Sequence, residues 1–316
     1  MTLRPLGRSG LSVSPLCLGG NVFGWTADEQ TSHALLDRYA ERGGNFIDTA
    51  NVYSSWVPGH VGGESESVLG RWLRARGQRD RVIVATKVGM DMPGLGKGLT
   101  RTQIERGAED SLRRLQVERI DLYYAHEDDA KTPLDETLAA FDRLVRDGKV
   151  RAIGASNYTA ERLEAALAVS KTSGAARYEC LQPNYNLMDR AGFEDALAAT
   201  CEREQVGVAT YFSLASGFLT GKYRRAEDAT GRARAGGVKR HFTERGQRVL
   251  DALHATADRL GSRAATVALA WLMAQPAVTS AIASATSTAQ LDELLDAIDL
   301  RLDADALKQL GDASAG

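Results

Sequence analysis

The feature that most limits what this chain can fold into is a regular alternation. Short apolar, strand-like runs fall at 16–19, 45–48, 81–87, 119–125, 150–155, 178–182, 206–211 and 278–283. Amphipathic helical patterns lie between them. Leu35, Leu36, Tyr39 and Ala40 mark one over 28–41, and Leu163, Ala166 and Leu167 mark another over 159–170. Parallel strands need such crossovers. Eight strand–helix units within 316 residues predict an α/β chain closed into a single (β/α)8 TIM barrel over 1–316. Ahead of the first unit, 2–6 and 12–17 flank Gly7-Arg8-Ser9-Gly10 and predict an N-terminal β-hairpin.

Helix punctuation supports the alternation. Thr26-x-x-Glu29, Thr100-x-x-Gln103 and Ser287-x-x-Gln290 fit the capping box. Thr132-Pro133 places proline at a first helical position, and Gly43 and Gly148 fall where helices should stop. A doubly wound sheet is the rival architecture, but the turn after the first barrel strand is Gly19-Gly20-Asn21, not GxGxxG. Gly94 to Gly98 and Gly217 to Lys222 only loosely resemble phosphate loops and are read as ordinary loops. The segment 222–245 is rich in Gly, Arg and Lys and poor in apolar residues. It reads equally well as a disordered surface loop and as a flap over a ligand.

Composition narrows the function classes. Hydrophobic residues at 43% and charged residues at 25% argue against global disorder. Lys+Arg at 39 against Asp+Glu at 41 leaves no basic surplus for nucleic acid or an anionic membrane. No apolar run is long enough to span a bilayer, and the first residues show no signal-peptide core. Cys17, Cys180 and Cys201 are odd in number and lack CxxC spacing, which predicts a reducing, cytoplasmic setting and no thiol-based metal site.

In a barrel, the C-terminal strand ends converge on one mouth. There the sequence sets Asp48, with Tyr53 just beyond, then Lys87, His126, Ser156-Asn157, Gln182 and Tyr211. Each has an ordinary structural reading alone, but an aspartate, a lysine and a histidine at successive strand ends favour a site. A free phenol, with a pKa near ~10, is a weak acid at neutral pH. The Lys87 ammonium is expected to lower it, with Asp48 as the counter-ion of Lys87. His126 would polarise a carbonyl oxygen. Together these groups suit carbonyl reduction, with Tyr53 giving the proton.

The segments that carry this chemistry resemble the aldo-keto reductases. They are Asp48-Thr49-Ala50-Asn51-Val52-Tyr53, Thr86-Lys87-Val88-Gly89, Tyr124-Ala125-His126, Gly154-Ala155-Ser156-Asn157-Tyr158, Leu181-Gln182-Pro183-Asn184-Tyr185-Asn186 and Gly217-Phe218-Leu219-Thr220-Gly221-Lys222. Cys17-Leu18-Gly19-Gly20 and the opening hairpin also fit. The resemblance implies a tetrad of Asp48, Tyr53, Lys87 and His126. It implies NADP, with NAD possible, extended across the mouth without a Rossmann domain. Ser156, Asn157 and Gln182 would hold the carboxamide, and Tyr211 would stack on the nicotinamide. Gly20, Asp48 and the stretch with Phe212, Ser213, Leu214, Gly217 and Lys222 would line the remainder, and Ala283, Ser284, Thr286 and Gln290 would meet the adenosine end.

Two departures bear on the cofactor. Phe212-Ser213 stands where relatives have Ser or Thr followed by Pro. The stretch Ala283-Ser284-Ala285-Thr286 lacks the usual arginine at Thr286, and Leu294 replaces a usual Asn. Ser287 and the basic residues Arg232, Arg234, Lys239 and Arg240 are expected to compensate in part for a 2′-phosphate. Phe23, Trp25 and Trp56, beside Tyr53 and His126, are expected to form an aromatic wall for a small-molecule carbonyl substrate. The acidic run Glu127-Asp128-Asp129 reads as a solvated loop. The alternatives are a Schiff-base aldolase using Lys87 and a nicotinamide-binding regulator of the potassium-channel β-subunit type.

Overall fold

A computed structural model of the chain describes residues 1–223, 225–231 and 235–315. Its hairpin strands are β1 (Arg4–Pro5) and β2 (Ser12–Val13), antiparallel with Arg4 opposite Val13. The barrel strands follow: β3 (Leu16–Gly19), β4 (Phe46–Asp48), β5 (Ile83–Val88), β6 (Ile120–Ala125), β7 (Val150–Ser156), β8 (Tyr178–Gln182), β9 (Gly207–Thr210) and β10 (Ser280–Ala283). They pair in parallel in sequence order, and β10 closes on β3. The expected (β/α)8 barrel with its N-terminal hairpin is present. The hairpin is shorter than expected, because the run from residue 16 onward belongs to the barrel. Among the described residues, no helix is long and apolar enough to cross a membrane.

The helices that cross between the strands include α1 (Glu29–Glu41), α2 (Glu64–Arg76), α3 (Arg101–Leu115), α4 (Leu134–Arg146) and α5 (Ala160–Ser173). α6 (Ala191–Glu194) and α7 (Leu197–Glu204) follow β8, and α8 (Ala235–Lys239), α9 (Glu244–Arg259) and α10 (Ala264–Met273) separate β9 from β10. α11 (Thr288–Leu295) and α12 (Ala304–Ser314) end the chain. The box at Thr100 and Gln103 forms in full. α1, by contrast, is capped by Asp28, whose carboxylate lies nearer the first turn than Thr26 and accepts from Thr31 N. Ser287 caps α11, but Gln290 turns its carbonyl oxygen to Thr286. Pro133 sits one residue earlier than expected, at the cap of α4. Gly43 and Gly148 adopt positive φ just past α1 and α4 and donate to Ala40 and Val145 carbonyls.

The barrel interior is filled. Leu6, Leu11 and Val13 of the hairpin close one end against Phe46, Ile83, Leu122 and Ala152. Above them Tyr124 reaches across to Cys180, with Oη 3.1 Å from Sγ. Gly154 makes room for this ring, since a Cβ there would lie 2.5 Å from it. Dense interior packing leaves no channel through such a barrel, so the polar strand ends open only at the C-terminal mouth.

The expected loop or flap at 222–245 contains a 3-10 turn at Ala226–Ala229 and α8. Its described part folds back on the turn Ala215–Thr220. Val238 is fully buried, and Phe218 packs on His241 and Phe242 at 5.4 and 5.2 Å. Arg232 and Arg234 lie outside the described residues.

Candidate active site

Strand register assembles the site. Gly19 pairs with Asp48, Asp48 with Ala85, Lys87 with Tyr124, and Ser156 with Gln182, so the strand ends form one tier. Asp48 is the last residue of β4, and Tyr53 lies in the turn that follows. Lys87 Nζ donates to Asp48 Oδ2 at 2.6 Å, to Tyr53 Oη at 2.7 Å and to the Thr49 carbonyl at 2.8 Å. Asp48 and Lys87 are buried. A buried ammonium with all three protons in hydrogen bonds meets the condition that makes burying a charge tolerable. Gln182 Nε2 donates to the other oxygen of Asp48 at 2.8 Å.

The network continues around the rim. Ser156 donates to the Gln182 carbonyl at 2.9 Å. Asn157, at φ +57°, donates to the His126 carbonyl at 2.9 Å and accepts from the Tyr211 hydroxyl at 2.6 Å. His126 follows β6, and its ring lies 6.0 Å from that of Tyr53. Its Nδ1 is buried without a partner, which leaves Nε2 as the nitrogen available to an incoming oxygen.

Burial, and then the charge of Lys87, hold the His126 imidazole well below its ordinary pKa, so the ring is neutral at pH 7. Burial lowers the Lys87 pKa as well, against the opposing pull of Asp48. The Tyr53 phenol differs from expectation. Burial, followed by the Asp48 carboxylate, pushes it well above its ordinary range. The Lys87 ammonium, 2.7 Å from the phenol oxygen, does not outweigh burial and the carboxylate. Tyr53 therefore keeps its proton. That proton points to Asp48 Oδ2 across 3.3 Å, longer than an ordinary O–H···O bond, and so it is weakly held by its acceptor.

Other expected site residues are more scattered. Gly20 follows β3, and its N–H donates to the Asp48 carbonyl at 2.7 Å. Phe212 is exposed at φ +52°, with its carbonyl accepting from Asn186 Nδ2 at 3.1 Å. Ser213 is buried and bonded inward to Thr210. Leu214 is half-buried, Gly217 has φ +102°, and exposed Lys222 lies over the Tyr223 ring at 4.9 Å. Ala283 ends β10, and Ser284 donates to Asn21 Oδ1 at 2.6 Å. Thr286 donates to Gln290 Oε1 through both its N–H and its hydroxyl. Of the aromatic wall, Trp25 and Trp56 meet at 5.5 Å, and Trp56 meets Tyr53 at 6.1 Å. Phe23 is fully buried in the core and lines nothing.

The acidic run is pinned rather than freely solvated. Glu127 pairs with Lys97 at 2.7 Å, and Asp128 holds Arg162 through both oxygens. Asp129 accepts from Leu99 N at 2.8 Å. Sequence reasoning overlooked the Thr49 carbonyl, the direct bond from Gln182 to Asp48, and the buried Ser65 and Glu66 behind the site. The signal for the last two was the run Gly62-Gly63-Glu64-Ser65-Glu66, which opens an otherwise amphipathic helix.

The fold and this cluster together define a barrel protein with buried, hydrogen-bonded ionisable side chains at its C-terminal mouth. Comparison with known proteins makes the assignment specific. The chain belongs to the Aldo/keto reductase family, whose sequence profile matches residues 15–315, and is an oxidoreductase. It is 36% identical to "Uncharacterized oxidoreductase YrpG" of Bacillus subtilis, over 98% of this chain and 95% of that protein. It is 32% identical to "L-glyceraldehyde 3-phosphate reductase" of Escherichia coli K12, over 94% and 88%. It is also 32% identical to "Probable voltage-gated potassium channel subunit beta" of Arabidopsis thaliana, over 95% and 92%.

Proposed function

We propose that the protein reduces aldehyde or ketone carbonyls to alcohols with a nicotinamide cofactor, NADPH by preference. The observation that carries this reading is the Lys87 ammonium held between Asp48 and Tyr53 at 2.6 and 2.7 Å. When bound, the nicotinamide supplies the hydride. The donor set fits such a group. Ser156, Asn157 and Gln182 present hydroxyl and amide functions suited to a carboxamide, and the half-buried Tyr211 ring beside them offers a flat apolar face.

The chain's own residues account for the proton. A carbonyl oxygen held between Tyr53 and His126 would accept the phenol proton, which reaches Asp48 only across 3.3 Å. His126 Nε2–H, on a neutral ring, polarises the same oxygen. As negative charge develops on that oxygen, Tyr53 donates its proton, and Lys87 stabilises the phenolate left behind. Trp25 and Trp56 give the mouth an apolar wall beside Tyr53.

The other readings draw less support. A Schiff-base aldolase needs a free amine, whereas Lys87 is fully buried with its protons committed. A purely regulatory nicotinamide binder has no use for an assembled acid–base cluster. The test is oxidation of NADPH and NADH across a panel of aldehydes, ketones and sugars. Turnover with at least one carbonyl class is expected. Absence of turnover together with borohydride trapping of a carbonyl adduct on Lys87 would replace this reading with the aldolase.

A further inference from the structure

The first turn of α2 carries buried polar side chains for which the reaction has no direct use. Ser65 donates to the Gly20 carbonyl at 2.7 Å and pairs with the Thr49 hydroxyl at 2.8 Å. Glu66 accepts from the Thr86 hydroxyl at 2.6 Å through one oxygen, and from Arg114 Nε at 2.6 Å through the other. Ser65, Glu66 and Thr86 are all fully buried.

Neighbours on a strand point to opposite faces. Thr86 therefore turns outward to the helix layer, while Lys87 turns into the mouth. One turn of helix thus grips three successive strand ends from behind: Gly20 after β3, Thr49 after β4 and Thr86 within β5. Two of these adjoin the charge pair directly, since Thr49 follows Asp48 and Thr86 precedes Lys87.

Stability alone gives no reason for this polarity. Well-packed apolar residues usually serve a buried site as well as an ion pair or better. The backbone is nonetheless shaped to admit the pair. Gly63 has φ +84°, and a Cβ there would lie 2.3 Å from Arg114 Cδ.

We infer that Glu66 and Thr86 are positioning residues that fix the height of Lys87 against Asp48 and Tyr53, with Ser65 setting the Asp48 side. This rests on the reading of the Lys87 cluster as the acid–base site. Geometry matters at this scale because a misplacement of about 1 Å can cost on the order of a hundredfold in rate.

Thr86→Val keeps the shape of the side chain and removes its hydroxyl, while Thr86→Ser retains the hydroxyl. For Thr86→Val we expect kcat to fall by roughly tenfold to a hundredfold with KM for the carbonyl within about threefold. Thr86→Ser should restore kcat. Crystal structures of the variants read the brace without any assay, and the Lys87 Nζ to Tyr53 Oη distance should exceed its present 2.7 Å in Thr86→Val. Wild-type kcat with an unchanged distance, whatever happens to Tm, would reduce the Glu66 network to a helix anchor and overturn the inference. If Thr86→Val does not fold, Arg114→Lys at the partly exposed end of the network takes its place. It should lower kcat in the same direction, and an unchanged kcat there overturns the inference equally. A wild type that reduces no carbonyl, alongside a lengthened distance in Thr86→Val, would sink the reductase reading and leave the brace standing.

Discussion

The two halves of the barrel mouth are built differently. Along β4 to β8, regular strand ends carry Asp48, Lys87, Ser156 and Gln182 into one buried network, with each polar atom set by pairing register. Around the ends of β9 and β10 the side chains sit on loops, several at positive φ, including Phe212, Ala215 and Ser216. Polar groups there are engaged with one another, as in Thr286 with Gln290 and Ser284 with Asn21. Under the proposed function the first half would act as it is already built, whereas the second would exchange internal hydrogen bonds for ligand bonds. Changes in the first half should therefore alter rate and stability together, and changes in the second should alter affinity for one cofactor over another.

The largest effect is expected from Lys87→Met. It removes the ammonium proposed to stabilise the Tyr53 phenolate and leaves a buried Asp48 without its counter-ion. Carbonyl reduction should be almost abolished, and unfolding free energy should drop by on the order of 3–5 kcal/mol. Kinetics and denaturant melts of one preparation measure both. An active variant with wild-type stability would break the contrast between the two halves.

Thr286→Arg probes the other half. It adds one charge-assisted contact for a 2′-phosphate, worth about 1.5–3 kcal/mol, or roughly a tenfold to hundredfold gain in NADPH affinity. NADH affinity and kcat should stay nearly unchanged. Titrations with both cofactors decide the matter, because an equal effect on the two would remove the 2′-phosphate from this loop.

A smaller effect comes from pH. The folded His126 resists protonation because burial, followed by Lys87, depresses its pKa. The unfolded chain binds that proton near pH 6.5. Stability from this residue is therefore complete above about pH 6.5 and is lost as pH falls below it. The loss should deepen as pH falls further below about 6.5. Because carboxylates also titrate there, the measurement is the difference in slope between wild type and His126→Gln. Equal slopes would show that the imidazole is not held neutral.

How far the sequence foretold these halves follows the same division. Strand runs and their polar ends were legible, because burial on both faces leaves a continuous apolar signature that stops at the mouth. The runs at 16–19, 150–155 and 178–182 match β3, β7 and β8 within a residue. Loop features were legible only in part. Phe23 read as a wall residue from its position, yet it turns into the core, because local sequence carries no record of which way a loop side chain faces. The Tyr53 phenol was misjudged for a related reason. Its burial and its nearness to Asp48 are tertiary facts, and together they outweigh the ammonium that residue type suggested. Glu66 was missed because a charged residue in a helix's first turn ordinarily indicates exposure, and only packing reveals its partner Arg114.

The central claim is that Tyr53 gives the proton, and Tyr53→Phe tests it most directly by removing the hydroxyl and keeping the ring. The measurement is kcat for carbonyl reduction, with cofactor affinity read from fluorescence on the same variant. The account predicts that kcat falls by roughly 10²–10⁴ while cofactor affinity stays within about twofold, since the hydroxyl is bonded to Asp48 and Lys87 rather than to Ser156, Asn157 or Gln182, which are proposed to hold the nicotinamide carboxamide. A kcat near that of the wild type would contradict it.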